Sequence, residues 1–362
     1  MPLFLVGEVY LFLVNSDMKS FLATIATTLS VICLFAQNKE FAIHKIALPP
    51  ELSYYDNQFS GLQVANEKLY MMSESRLEDK QEAKVYSLNL RDIDHYLKDT
   101  TYVLPYKKIM IYGLDNLATQ MENEGQVYEG LEAFTINGET VYFSVETNTP
   151  SPYCYLLKGK LSDTGIQLQP TLTAIRKPRK PDGSSIYNAG FETMALIKNN
   201  VFAFYEYNYF EKNYVYCYNS SLNSRSVDSL PIDKLPFRIT DITPAGNNHF
   251  TAINFFFKGE GGDTVYRVPP PDKLNDSLIE TQGTYHDYVR LIDIDFSNKH
   301  FSWQPLWIFP KEYTGYNWEG IAAYDNGYFV MNDKYTLARP YASVLLYLKK
   351  ITASGLLGVS GH

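Results

Sequence analysis

The chain has 362 residues, 45% hydrophobic and 20% charged, with a formal net charge of −8. That is enough chain for a sizeable hydrophobic core, and its sign speaks against a general nucleic-acid binder. No zinc-ligand or P-loop spacing occurs, and the aromatic share of 15%, with 30 Tyr and 21 Phe, favours strands.

In chain order, the first readable element is an export signal. Met18-Lys19 precedes the apolar run 21–36, and Leu34-Phe35-Ala36 offers a cleavage site ahead of Gln37. The run is shorter than the ~20 apolar residues of a membrane span. Residues 1–17 then read as a misassigned upstream start and 18–36 as the signal, leaving an exported protein that is periplasmic or secreted. Cys33 leaves with the signal, and Cys154 and Cys217 are expected to be buried free thiols.

A strand follows at 40–48, and then one pattern recurs. SGLQVANEKLYMMSE (60–74), EGLEAFTINGETVYFSVE (129–146), ETMALIKNNVFAFYE (192–206), TDITPAGNNHFTAINFFF (240–257) and YNWEGIAAYDNGYFVMNDKYT (316–336) each read as two strands around a tight turn. Asn326-Gly327 suits a type I′ turn in the last copy. The offset between the flanking polar residues is 14 in three copies, and 17 from Glu129 to Glu146, which predicts a longer turn there. Further strand-like runs follow each copy, such as KVYSLNL and KKIMIYG, or NYVYCYN and SRSVDSL; the last copy is followed by one, ASVLLYLKK.

Four strands per repeat, with a final repeat one strand short, predict an all-β fold: a β-propeller closed by the N-terminal strand. Five blades are expected, six being the alternative, in one domain over 37–350 with a flexible tail at 351–362. Inserted loops at 91–106, 113–127, 176–188 and 269–287 account for the long repeat.

In such a ring the first-strand starts and second-strand ends meet at one mouth of the channel. Ser60, Glu129, Glu192, Asp241 and Glu319 would form an inner ring, with Glu74, Glu146, Glu206 and Asp333 outside it. Crowded carboxylates must protonate or take up a cation, and an irregular cage of hard oxygens suits Ca²⁺. Arg76 follows the first hairpin, and Lys334 and Arg339 follow the last, where they could hold phosphates. The run RKPRKP at 176–181 reads more readily as solvated surface.

At these residues the sequence resembles the phytase-like β-propeller family, also called the esterase-like activity of phytase domain. The resemblance is carried by NAGFE (188–192), NWEGIA (317–322) and NDKY (332–335), and by the hairpins around them, over about 50–349. Lys334 stands where family members often have Asn, and blade four offers Thr240-Asp241 in place of Glu-Gly. A more distant similarity is to the calcium-activated nucleotidase (apyrase) propellers. The resemblance implies the propeller and its Ca²⁺ more than an activity; the first expectation is a Ca²⁺-dependent hydrolase of phosphate esters or anhydrides, a monomer with an outer carboxylate as general base acting on a small phosphorylated substrate. The alternative is a non-enzymatic exported propeller with a structural Ca²⁺, whose aromatic mouth (Tyr207, Tyr209, Phe210, Tyr313, Tyr316, Trp318) binds a surface glycan, a peptide or a protein partner.

Overall fold

The computed structural model describes residues 41–77, 82–223, 227–258, 261–269, 271–333 and 342–351. The export signal, Lys334, Arg339 and all of the tail but Ile351 lie outside the described residues. Among the described residues no helix is long and apolar enough to cross a membrane.

Chain order begins with β1 (Phe41–Ile46). Blade 1 is β2 (Phe59–Ala65), β3 (Lys68–Ser73), β4 (Lys84–Asn89) and β5 (Tyr106–Tyr112). Blade 2 is β6 (Tyr128–Asn137), β7 (Thr140–Thr147) and β8 (Tyr153–Ser162). Its fourth strand is in two pieces, β9 (Gly165–Leu168) and β10 (Thr173–Arg176), interrupted at Pro170. Blade 3 is β11 (Thr193–Ile197), β12 (Asn200–Phe204), β13 (Asn213–Asn219) and β14 (Asp228–Ile232). In blade 4, β15 (Arg238–Gly246) and β16 (His249–Phe256) precede an insertion with a two-residue ladder, β17 (Glu280–Thr281) and β18 (Thr284–Tyr285). The blade then finishes with β19 (Tyr288–Ser297) and β20 (His300–Ile308). Blade 5 is β21 (Trp318–Tyr324), β22 (Gly327–Asn332) and β23 (Leu345–Lys350), completed by β1, which pairs antiparallel with β23 from Phe41↔Lys350 to Ile46↔Leu345.

The five blades close into a ring because their strands are apolar on both faces. In β3, Leu69 and Met71 pack toward blade 5 while Tyr70 and Met72 pack toward blade 2. In β22, Phe329 and Met331 join blade 1, and Tyr328 and Val330 join blade 4. Alternate side chains of a strand point to opposite faces, so an unbroken apolar run serves two interfaces. A separate apolar core fills each of the five gaps between neighbouring blades. At the outer rim, β5 pairs parallel with β9 and β14 with β20, joining blade 1 to blade 2 and blade 3 to blade 4.

Three sequence expectations are corrected by the local structure. Three of the four expected loops contain helices: Leu90–Lys98, Leu114–Asn123 and Lys273–Ile279. Leu114, Leu117, Ala118 and Met121 are buried at helical spacing. The turn of the last hairpin is Asp325-Asn326, with φ +45° at Asp325. Gly327 begins β22, where a Cβ would lie 2.2 Å from the Leu348 carbonyl oxygen, so close packing against β23 demands the glycine. The longer offset in blade 2 comes from longer strands: Asn137 pairs with Thr140, leaving the same two-residue turn as Ala65 with Lys68 and Tyr324 with Gly327. Cys154 and Cys217, the cysteines among the described residues, are free, the first buried and the second partly so.

Candidate functional site: an acidic channel mouth

The inner ring is built by a repeated irregularity. β2, β6, β15 and β21 each break register near their start, between Phe59 and Gly61, Tyr128 and Gly130, Ile239 and Asp241, and Trp318 and Gly320. The extra residue of a bulge is re-aimed out of the ladder. Those residues are Ser60, Glu129, Thr240 and Glu319, and Glu192, just before β11, takes the same place in blade 3.

Asp241 is therefore out of the expected phase by one residue: it stands in the register of Gly61, Gly130 and Gly320. Its Oδ2 accepts the N–H groups of Leu62 at 3.2 Å and Ile321 at 2.7 Å, and its Oδ1 that of Ile242 at 2.8 Å, tying blades 1, 4 and 5 together. Burial pushes its carboxyl up, opposed by those three N–H donors. The hydroxyls of Ser60 and Thr240 also serve the ring, donating to Leu131 and Trp318 carbonyls of the next blade at 2.7 Å each. Asp241 thus acts as a structural anchor, and Ser60 is bonded to backbone.

The outer ring holds for three acids. The N–H groups of Glu74, Glu206 and Asp333 donate to the carbonyls of Gln58, Gly190 and Asn317 at 2.8, 3.0 and 2.8 Å. In blade 2 the corresponding bond runs from Asn148 to Val127 at 2.9 Å, which corrects the phase expected of Glu146. Glu146 lies opposite Gly130, where blades 1 and 5 carry Met72 opposite Gly61 and Met331 opposite Gly320. A second bulge in β6, between Leu131 and Ala133, brings in Glu132, which repeat spacing alone did not reveal. The visible signal was the second acid in Glu129-Gly130-Leu131-Glu132.

These departures assemble two carboxylate trios. One oxygen from each of Glu74, Glu319 and Asp333 lies within 4.8 Å of the others, and so does one from each of Glu132, Glu146 and Glu192. All are buried except Glu319, which is half-buried and accepts from Asn317 Nδ2. Burial pushes the carboxyls of Glu132, Glu192 and Glu319 well above the usual range. Neighbouring acids add to it: Glu74 and Glu146 for Glu132, Glu206 for Glu192, and Asp333 and Glu74 for Glu319. Glu146 is pushed up to about 8 by burial, although Lys177 pulls it down.

Among the described residues, three cations face this group. Arg76 pairs with Glu74, Lys177 Nζ lies 3.6 Å from Glu146 Oε1, and Arg238 Nη1 lies 3.6 Å from Glu206 Oε2. Glu206 is wholly buried, bonded by the Tyr266 hydroxyl, and Arg238 stacks on the Tyr266 ring at 4.1 Å. Glu206 is thereby sealed from a substrate and holds Arg238 in place. In the basic run, Arg176 and Arg179 are exposed, but Lys177 is buried, contrary to a fully solvated run. Glu146 Oε1 and Glu206 Oε2 are buried and accept no hydrogen bond from the described residues.

Of the six aromatic residues expected at the mouth, five are partly buried and one is buried. Trp318 is fully buried, its Nε1 donating to the Tyr313 carbonyl at 2.8 Å, and Tyr316 packs on it at 5.3 Å between ring centres. Tyr207, Tyr209 and Phe210 pack against the core between blades 2 and 3.

No family model matches the chain, and no curated protein matches it in sequence. Among solved structures it is similar to a member of the DUF4221 family from Bacteroides vulgatus, at 10% identity and a TM-score of 0.44, over 88% of this chain and 100% of that one. It is also similar to a GH43 β-xylosidase/α-arabinofuranosidase from a compost metagenome, at 8% identity and a TM-score of 0.46, over 86% and 97%. A GH43 enzyme of Xanthomonas citri in complex with xylotriose matches at 8% identity and 0.46, over 88% and 93%. At these values the likenesses carry no chemistry to this chain.

Proposed function

We propose that this propeller is an exported, Ca²⁺-dependent hydrolase of phosphate esters or anhydrides, of the phytase-like or nucleotidase-like kind. The observation that carries the reading is the charge imbalance of the mouth among the described residues: Glu74, Glu129, Glu132, Glu146, Glu192, Glu206, Glu319 and Asp333 against Arg76, Lys177 and Arg238. Buried like charges need protons or cations. The donors are all carboxylate oxygens, and Glu146 Oε1 lacks a hydrogen-bond donor among the described residues, so the site fits a hard divalent cation. Glu74, Glu319 and Asp333 would hold one ion, and Glu132 with Glu192 are the other ligands of that chemistry. When bound, Ca²⁺ would offset carboxylate charge and polarise a phosphoryl oxygen.

The chain's own groups supply the rest. Arg76 is partly exposed and anchored by Glu74, so its remaining N–H groups can meet a phosphate. Asn317 orients Glu319. Glu146, near 8, suits a group that accepts a proton from water close to neutral pH, with Lys177 Nζ 3.6 Å from its Oε1. Lys177 holds that carboxylate in position. The test is phosphate release from a panel of phosphoesters and nucleotides, with Ca²⁺ and then with chelator. Release that chelator abolishes is expected, and absence of release from every substrate overturns the reading.

A further inference from the structure

The turn that opens β15 is held in a strained shape by one buried amide. Phe237 has φ +70°, a left-handed conformation that a bulky side chain rarely adopts, and its ring is buried. Asn254 of β16, wholly buried, donates from Nδ2 to the carbonyls on either side of it, those of Pro236 and Arg238, at 2.9 Å each. A conformation of this kind persists only where its surroundings fix it.

Asn254 is itself fixed by the residue directly opposite it in the ladder, Arg290 of β19. Arg290 Nε donates to Asn254 Oδ1 at 2.8 Å, so the amide can turn only its Nδ2 toward the two carbonyls. The Arg290 guanidinium, 3% exposed, lies 4.9 Å from the Trp303 ring, 5.7 Å from that of Phe237 and 5.8 Å from that of Tyr288. The Phe237 ring packs in turn on Phe256 at 5.5 Å and on Tyr288 at 5.7 Å between ring centres.

What the turn delivers is Arg238. Its Nη1 lies 3.6 Å from Glu206 Oε2, its guanidinium stacks on the Tyr266 ring at 4.1 Å, and the N–H of Ile239 donates to the Glu206 carbonyl at 3.1 Å. Glu206 also shares a hydrogen bond with Glu192, a member of the second carboxylate trio.

We infer that Asn254 and Arg290 are positioning residues for the mouth: together they hold the turn at Phe237, and through it they hold the Arg238 guanidinium against Glu206, beside Glu192. The effect on Ca²⁺ rests on the cation reading of the mouth, but the clamp itself is tested without Ca²⁺.

The first experiment is labelling of arginines with phenylglyoxal in the full chain in EDTA, read residue by residue by mass spectrometry. Asn254→Asp keeps the shape of the side chain and its acceptor for Arg290, but puts in place of the donor an oxygen that the two carbonyls repel. Arg238 should then label about tenfold faster than in the parent, while buried Arg290 and Arg91, whose side chain is 87% exposed, keep their rates. Arg290→Met, which frees the amide to rotate, should speed Arg238 about threefold. A parental rate at Arg238 in either variant overturns the inference, and so does faster labelling of Arg290 in Asn254→Asp, which would mean that the whole blade has opened.

Calorimetric Ca²⁺ titration then separates positioning from packing. Arg238→Met should tighten Ca²⁺ about threefold or more by removing a like charge, Asn254→Asp should tighten it too, and the double variant should match Arg238→Met alone. Additive effects overturn the inference, because Asn254 would then act on the mouth by some route other than Arg238. A parent that takes up no Ca²⁺ refutes the hydrolase reading, and the labelling rates alone then decide the clamp.

Discussion

Lys177 Nζ lies 3.6 Å from Glu146 Oε1 and donates to the Thr147 carbonyl at 2.6 Å, so the residue that follows β10 supplies the counter-charge for a carboxylate on β7. Both side chains are about 4% exposed, which places the pair where water screens it little. Lys177→Met should therefore leave an uncompensated buried acid. Its carboxyl, already near 8, should move further up, so the loss of unfolding free energy, read by denaturant titration in chelator, should be small at pH 5, where Glu146 is protonated, and should grow above pH 8, where the parent ionises it against Lys177.

The pH dependence of stability has a definite sign. Glu146 is raised from 4.5 to about 8 in the folded protein, so between these values the folded state holds the proton more tightly than the unfolded chain. Its contribution is fully present below 4.5 and is lost as pH rises toward 8, with a limiting slope of about 1.4 kcal/mol per pH unit. Glu132, Glu192 and Glu319 shift the same way. In chelator the melting temperature should fall steadily from pH 5 to pH 8. A rise over that interval contradicts the assignment.

Calcium should reverse that trend, because an ion bound only to the folded state stabilises it as ln(1 + [L]/Kd). In thermal-shift titrations Glu319→Gln and Glu132→Gln should each lose most of the gain. Glu139→Gln, at an exposed turn where Glu139 meets Lys160 at 3.3 Å, should keep it. Equal shifts in all three variants, or none in the parent, remove the cation from the account.

Deleting 41–46 strips β23 of its outer partner and leaves blade 5 with three strands. Amides of 345–350 should exchange faster by about tenfold or more, with those of β13 nearly unchanged, as hydrogen exchange by mass spectrometry would show. Uniform acceleration across all blades would mean that the ring unfolds as a single unit.

The blade pattern was legible because both faces of each hairpin strand are buried, so the apolar runs and two-residue turns stand out in the sequence. The acids at Glu74, Glu206 and Asp333 were legible for a related reason: each lies 14 residues after the polar residue that opens its hairpin, Ser60, Glu192 or Glu319. Glu132 was hidden and Asp241 misassigned, since each depends on where a bulge falls, and one residue more or less in a strand moves a side chain to the other face. Lys177 was read with its neighbours as a solvated basic run, because a loop without periodicity does not show which side chains turn inward. The helix Leu114–Asn123 was legible from its spacing and was read as a loop, its short apolar stripe overshadowed by the strands on either side.

The parallel pairings at the rim give the ring unequal joints. Blades 1 and 2 are welded into one doublet and blades 3 and 4 into another, leaving blade 5 as a clasp between them. Among the described residues, three joints carry no such rim pairing. The Thr240 hydroxyl donating to the Trp318 carbonyl and the Ile321 N–H donating to Asp241 stitch the joint of blades 4 and 5. The other two are the joints that the carboxylate trios straddle: Glu132 and Glu146 face Glu192 across blades 2 and 3, and Glu74 faces Glu319 and Asp333 across blades 1 and 5. Charge in the mouth thus acts on hinges. Ionised and bare, the trios pry the doublets and the clasp apart; neutralised, they rivet them, so the chemistry of the mouth and the mechanical integrity of the ring are governed by the same six side chains.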